Sequence, residues 1–201
     1  MYTYIYDSPD KVTEAELKRD LLVLPQWRRN KALAYHNLVD RVQSVKVFLL
    51  LRQCLDERYG THEIPPFEYG KYGKPFLKDT HFNLSHCRKG VICVADDFPV
   101  GCDIEAIPEN IDFDLLTVCF NEKEQEAIIR AKYPNVEFVR QWTRKEALLK
   151  LIGIGLTDGL QHIFEYISTK DIILNTVTEV SKGYVYTTAQ YTNNYLKTIE
   201  L

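Results

Sequence analysis

The periodicity of this chain runs through the same order twice, and that repetition bounds its fold. Residues 2–6 are aromatic and β-branched, which suits a first strand. A capping-box pattern begins at Thr13, with Glu16 three positions on, and helix formers follow to about Leu24 before Pro25 breaks the run. Helical spacing then holds from about 26 to 59 in two pieces, with Leu38, Val42, Val45 and Leu49 recurring on one face, until Pro65-Pro66 ends it. Residues 81–84 and 91–95 read as strands, the second apolar enough to be central, and 100–104 as another beyond a turn at 96–99. The second pass is similar. Asn121 with Glu124 predicts an N-cap leading into a helix over 125–132, and 136–152 predicts a longer helix ended by Gly153-Ile154-Gly155. Alternation then predicts strands at 160–167, 172–177, 183–191 and 196–201. No letter-level repeat is visible, but strand, helices, strands, twice over, fits two similar α+β halves with a break near 96–100.

The 201 residues suffice for one large domain or two small ones sharing an interface. A formal net charge of −3 argues against a nucleic-acid binder, which carries a basic excess. The five cysteines, Cys54, Cys87, Cys93, Cys102 and Cys119, are odd in number and form no C-x-x-C pair, so neither a disulfide framework nor a zinc site is expected. Reduced, buried thiols fit a cytoplasmic protein. The first twenty residues lack a basic stretch followed by an apolar core, so no signal peptide is expected. The most apolar run, 45–51, is interrupted by Lys46 and is too short to span a membrane.

Four constellations carry chemistry. In Gly101-Cys-Asp-Ile-Glu105, residues two apart on a strand share a face, so Asp103 and Glu105 present paired carboxylates beside an apolar run. A hard divalent ion would offset their repulsion; a strand emerging into solvent with two exposed acids is the plainer alternative. In Trp142-Thr-Arg-Lys-Glu146-Ala-Leu-Leu-Lys150, positions four apart align Trp142, Glu146 and Lys150. The plainer alternative is a surface Glu–Lys pair with a core tryptophan. In Asn83-Leu-Ser-His86, Ser85 and His86 end a strand where a hydroxyl and an imidazole suit a phosphate, or where serine merely caps a turn. Arg28, Arg29 and Lys31, with Lys71 and Lys74 around a glycine turn, suit a polyanion, or form a solvated cluster. No P-loop, G-x-G-x-x-G, H-E-x-x-H or G-x-S-x-G element occurs, which removes the commonest nucleotide, zinc-peptidase and esterase readings.

Together, G-K-P at 73–75, F-N-L-S-H at 82–86, G-C-D-I-E at 101–105 and W-T-R-K-E-A-L-L-K-L-I-G-I-G-L at 142–156 make the chain resemble the 4'-phosphopantetheinyl transferases, in the larger class with two pseudo-symmetric halves in one chain. Cys102 replaces the more usual aliphatic residue before the acidic pair, and Cys87 follows Ser-His where a hydroxyl residue is common. The resemblance implies halves at 1–98 and 99–201 with coenzyme A in the cleft between them. It implies transfer of phosphopantetheine from coenzyme A to a serine of an apo acyl, peptidyl or aryl carrier protein, with adenosine 3',5'-bisphosphate leaving. It implies magnesium, or manganese in its place, held by Asp103, Glu105 and Glu146. Glu146 is then the expected general base, and Lys150 the cation on the leaving phosphate. Ser85 and His86 would hold phosphate oxygens, with Lys74, Pro75, Lys31, Arg28 and Ser44 near the adenine end and its 3'-phosphate, and Trp142 in the cleft wall. The expected protein is a monomer. Two alternatives use the same residues: a metal-dependent hydrolase of coenzyme A, and a non-catalytic module that binds coenzyme A or a carrier. The apolar stretch at 113–118 is expected either to anchor an acidic carrier or to be a buried helix.

Overall fold

The computed structural model describes residues 1–61, 63–78, 80–155, 159–193 and 195–196. Strand β1 (Tyr2–Asp7) leads into helices α1 (Glu14–Leu22), α2 (Gln26–Leu33) and α3 (Leu38–Tyr59). A two-residue hairpin, β2 (Glu68–Tyr69) and β3 (Pro75–Phe76), precedes strands β4 (His81–His86), β5 (Gly90–Asp96) and β6 (Val100–Ala106). Helices α4 (Phe113–Cys119), α5 (Glu122–Arg130), α6 (Pro134–Ile152) and the single turn α7 (Ile163–Tyr166) come next, then strands β7 (Ile172–Glu179) and β8 (Tyr184–Tyr191). The mixture of helices and antiparallel sheets makes the fold α+β.

The helix starts are set locally. Thr13 caps α1 and Asn121 caps α5, each in a full capping box that satisfies two otherwise orphaned N–H groups. Asn37 caps α3 through its side chain, and Pro134 opens α6 where no intrahelical N–H is required. Helix α5 begins at Glu122 because the cap itself sets the boundary, three residues before the predicted start.

Two three-stranded antiparallel sheets share one connectivity. In the order β1-β5-β4, the first strand pairs with the last; in β6-β8-β7, it does so again. Period-two alternation then decides what each face covers. On β5, Val91, Cys93 and Ala95 pack under α3, while Ile92 and Val94 meet Val100, Cys102 and Ile104 of β6. The next positions along β6, Gly101, Asp103 and Glu105, therefore turn toward α6. Gly101 is required there, because a Cβ would run into the Ala147 carbonyl and stand 2.5 Å from the Leu151 nitrogen. Strands β4 and β6, each an edge of its own sheet, are joined by Asn83, whose Oδ1 accepts from the Cys102 N–H at 2.8 Å. That bond uses a backbone donor the β6 edge would otherwise leave unpaired.

The expected strand at 160–167 is not formed. Residues Leu160–His162 make a 3-10 turn that runs into α7, with Leu160 and Ile163 both buried at helical spacing. The expected strand at 196–201 lies outside the described residues beyond Leu196, as does Leu156 of the fourth motif. All five cysteines are free and buried. Among the described residues no helix is long and apolar enough to cross a membrane.

Candidate active site

The acids and the lysine expected from the motifs meet where β4, β6 and α6 converge. Strand geometry puts Asp103 under α6, only 2% exposed. Its Oδ1 accepts from Lys150 Nζ at 2.6 Å and from Ser85 Oγ at 2.8 Å. Lys150 Nζ also donates to Ser85 Oγ at 3.1 Å and lies 4.0 Å from Glu146 Oε2, one helical turn back. Trp142 stands one turn further and contacts the apolar cluster around α6, so the predicted Trp142–Glu146–Lys150 alignment is real.

The electrostatics are those of crowded acids with one cation among them. Burial, then the Asp103 charge, pushes the Glu105 carboxyl up to about 7, with Glu146 adding to the rise; Lys150 and the Trp142 indole oppose it. Burial, and to a lesser degree Asp103, also raises Glu146, against Lys150. Burial works against the Lys150 charge, yet Asp103 holds its pKa above the usual lysine value. Asp103 Oδ2 and Glu146 Oε1 are buried with no hydrogen-bond donor. Two orphaned carboxylate oxygens beside a third acid are a donor set suited to a hard cation. Among the described residues, no three His, Cys, Asp or Glu side chains already stand in a ligating arrangement. The ammonium of Lys150 is the cation that stands among the acids in this structure.

A cleft of about 230 Å³ opens beside this cluster, with Tyr72, Lys74, Pro75, Asn83, Glu146 and Lys150 in its wall. Lys74 and Pro75 are thus brought to the acids' side. The Lys74 ammonium donates to the carbonyls of Val100, Lys150 and Leu151, and burial pulls its pKa down to about 8. His86 ends β4 with part of its ring in solvent. The protein around it still lowers its pKa by desolvation, and the charges of Lys150 and Arg28 add to the effect while Asp40 opposes it. Arg28 is 5% exposed and donates through Nη2 to the Ser44 carbonyl at 2.5 Å and to Ser44 Oγ at 3.1 Å. Burial lowers its pKa, and its Nε has no partner. Lys31 is exposed and donates to the Tyr69 hydroxyl at 2.8 Å. Arg28 and Ser44 therefore form one pair and Lys31 another, both outside the cleft wall that holds Lys74.

Two residues inside the motifs, Asn83 and Lys145, have structural roles that the sequence does not assign. Asn83 is the bridge between sheets, and its signals are a place in the F-N-L-S-H motif and a polar residue inside a strand-like run. Lys145 is completely buried. Its Nζ donates to Glu124 Oε2 at 2.7 Å and to the carbonyls of Cys119 and Leu160, each at 2.9 Å, and of Gln161 at 3.3 Å, with the Phe120 ring 4.9 Å away. It ties the ends of α4 and α5 and the turn at 160–162 to α6. Its signal is a lysine on the helical face that also carries Phe138, Leu148 and Leu149.

The stretch 113–118 lies in helix α4, only part of which is buried. Leu116 faces inward, whereas Phe113 and Val118 are 66% and 68% exposed, with Leu115 beside them also exposed.

A family model described as the 4'-phosphopantetheinyl transferase superfamily matches residues 99–199. The chain is similar to 4'-phosphopantetheinyl transferase gsp of Aneurinibacillus migulanus, 37% identical over 127 residues, which cover 61% of this chain and 53% of the relative. It is also similar to 4'-phosphopantetheinyl transferase psf-1 of Bacillus pumilus, 33% identical over 66% of this chain and 59% of the relative. A 4'-phosphopantetheinyl transferase of Bacillus subtilis is 28% identical over 78% of this chain and 71% of its own length. The chain thus spans between about half and seven-tenths of the length of these relatives.

Proposed function

The chain belongs to the 4'-phosphopantetheinyl transferase superfamily, and from that premise we propose that it transfers the phosphopantetheine arm of coenzyme A to a serine of an apo carrier protein. Adenosine 3',5'-bisphosphate is the leaving group. The observation that carries this reading is the buried cluster in which Lys150 contacts Asp103 and neighbours Glu146 while one oxygen of each acid lacks a donor.

Phosphoryl transfer asks a protein mainly for positioning and for charge placed where charge develops. Asp103, Glu105 and Glu146 are the residues that would hold magnesium. When bound, the ion would screen the pyrophosphate of coenzyme A and spread its negative charge. Glu146 is the proposed acceptor of the serine proton; its carboxyl, raised by burial, is a better base than an exposed glutamate. Lys150 presents its ammonium to the phosphate oxygens as the bond to the leaving group breaks. Ser85, already hydrogen-bonded to both Lys150 and Asp103, keeps that ammonium aimed. His86, whose pKa desolvation lowers, and the buried Arg28–Ser44 pair, with Lys31 beyond, would bind the adenine end and its 3'-phosphate. The unpartnered Nε of Arg28 supports that assignment.

The equal connectivity of the two sheets supports a division into halves at 1–98 and 99–201, with the reaction at their junction. Because both halves lie in one chain, a monomer is the proposed working unit. The buried free thiols favour a cytoplasmic setting. The apolar ridge of Phe113, Leu115 and Val118 on α4 is the proposed contact for the carrier.

The test is mass spectrometry of apo carriers of several types incubated with the protein, coenzyme A and magnesium. A gain of about 340 Da, the mass of the group moved by in-line transfer, is the expected result. Consumption of coenzyme A with no gain on any carrier would mean hydrolysis instead.

A further inference from the structure

An ammonium has three N–H donors, and the Lys74 ammonium meets three acceptors. They are the carbonyls of Val100 at 3.0 Å, Lys150 at 2.5 Å and Leu151 at 3.3 Å. Two of these belong to the last turn of α6, whose carbonyls have no intrahelical N–H to receive. A cation at a helix C-terminus also meets the negative end of the helix dipole. The third acceptor is the first residue of β6, three positions before Asp103. Gly153, in the left-handed region at φ 81°, ends α6 beside Lys74; a Cβ there would lie 3.6 Å from the lysine Cδ. One side chain from the β2–β3 turn therefore locks the end of the helix that carries Lys150 against the strand that carries Asp103 and Glu105.

We propose that Lys74 is a positioning residue, a cap from outside the helix that fixes the last turn of α6 and so the reach of Lys150, and that it does not bind a phosphate of coenzyme A. A phosphate ligand needs free donors, and these three are directed at carbonyls. The proposal rests on the transfer reading for its kinetic consequence, but the capping itself is independent of it.

Five measurements test it on the full chain. In Lys74→Met, turnover on an apo carrier falls by on the order of tenfold to a hundredfold, since small misplacements of a catalytic group are costly. The dissociation constant of coenzyme A, measured by calorimetry, shifts by less than about threefold. Lys74→Arg, which keeps donors for carbonyls, recovers part of the rate. The double variant Lys74→Met/Lys150→Ala is no slower than Lys150→Ala alone, because a residue that acts through Lys150 has nothing left to position. A Lys74→Met that weakens coenzyme A by about tenfold or more at unchanged turnover, as expected for a lost charged hydrogen bond, would overturn the proposal. So would losses that multiply in the double variant. If Lys74→Met does not fold, Lys74→Gln enters the same cycle with one donor kept. Hydrogen exchange separates this idea from the transfer reading: amides over 149–153 exchange faster in the variant while those of α3 do not. Faster exchange in a protein that modifies no carrier sinks only the transfer reading; unchanged exchange sinks the cap.

Discussion

Helices α3 and α6 hold the same place on sheets of the same connectivity, yet they bury opposite chemistry. Under α3 lie Val42, Val45, Phe48, Leu51 and Leu55, joined by Trp27, Phe67 and Phe82 in a chain of aromatic contacts. Its charges sit at the rim: Lys46 pairs with Asp20, and Arg58 with Asp97. Helix α6 also buries Ala147, Leu148, Leu149 and Leu151, but it takes Lys145 fully inside and aims Glu146 and Lys150 at a second set of acids. Burying an ion costs several kcal/mol that pairing repays only when the geometry is good. A helix needing only to cover its sheet would look like α3. On the proposed function, the difference marks α6 and the second sheet as the side that supplies the acids and Lys150, with β4 of the first sheet adding Ser85 and His86.

The comparison can be broken by substitution. The largest effect on stability is expected at Lys145. Lys145→Met removes the buried ammonium shared by the Glu124 carboxylate and three carbonyls, and should lower the unfolding free energy by about 3–5 kcal/mol. Urea denaturation measures it; a loss below about 1 kcal/mol would mean the charge is not integral to the core. In α3, Leu51→Ala should cost about 3 kcal/mol through transfer and cavity terms. The folded fraction should turn over at the wild-type rate, because Leu51 packs in the α3 core and is not among the residues proposed to touch substrate. A folded Leu51→Ala protein with much reduced turnover would erase the distinction between the helices. The smallest change is expected on α4. Val118→Asp should alter stability by no more than about 0.5 kcal/mol, as exposed substitutions do. It should nevertheless raise the KM for the carrier severalfold and leave that for coenzyme A alone, read from paired saturation curves. Equal shifts in both would remove the ridge as the carrier's contact.

Much of this was legible in the sequence. Capping boxes at Thr13 and Asn121, the central β5, the paired acids of β6 and the stacked 142, 146 and 150 positions all follow from period and side-chain chemistry. What the sequence hid shares a cause. Lys74 and Lys145 both lie inside motifs, but they make most of their bonds to backbone carbonyls, which every residue carries, so no spacing of residue types announces those partners. The segment 160–167 predicts a strand because Ile163, Phe164, Tyr166 and Ile167 are strand formers, but the turn at 160–162 presents its carbonyls to Lys145. Arg28 and Ser44 lie far from the acids in sequence, and their pairing depends on α2 crossing α3.

The claim on which the rest depends is that Lys150 acts at the reacting phosphate and does more than neutralise Asp103. Steady-state kinetics of Lys150→Ala on a modified carrier's apo form, with circular dichroism to show an intact fold, tests it most directly. The account predicts a fall in kcat on the order of a hundredfold or more, about 2.7 kcal/mol of barrier, with coenzyme A affinity weakened far less. A folded variant within about threefold of the wild-type rate, barely 0.7 kcal/mol, would contradict it.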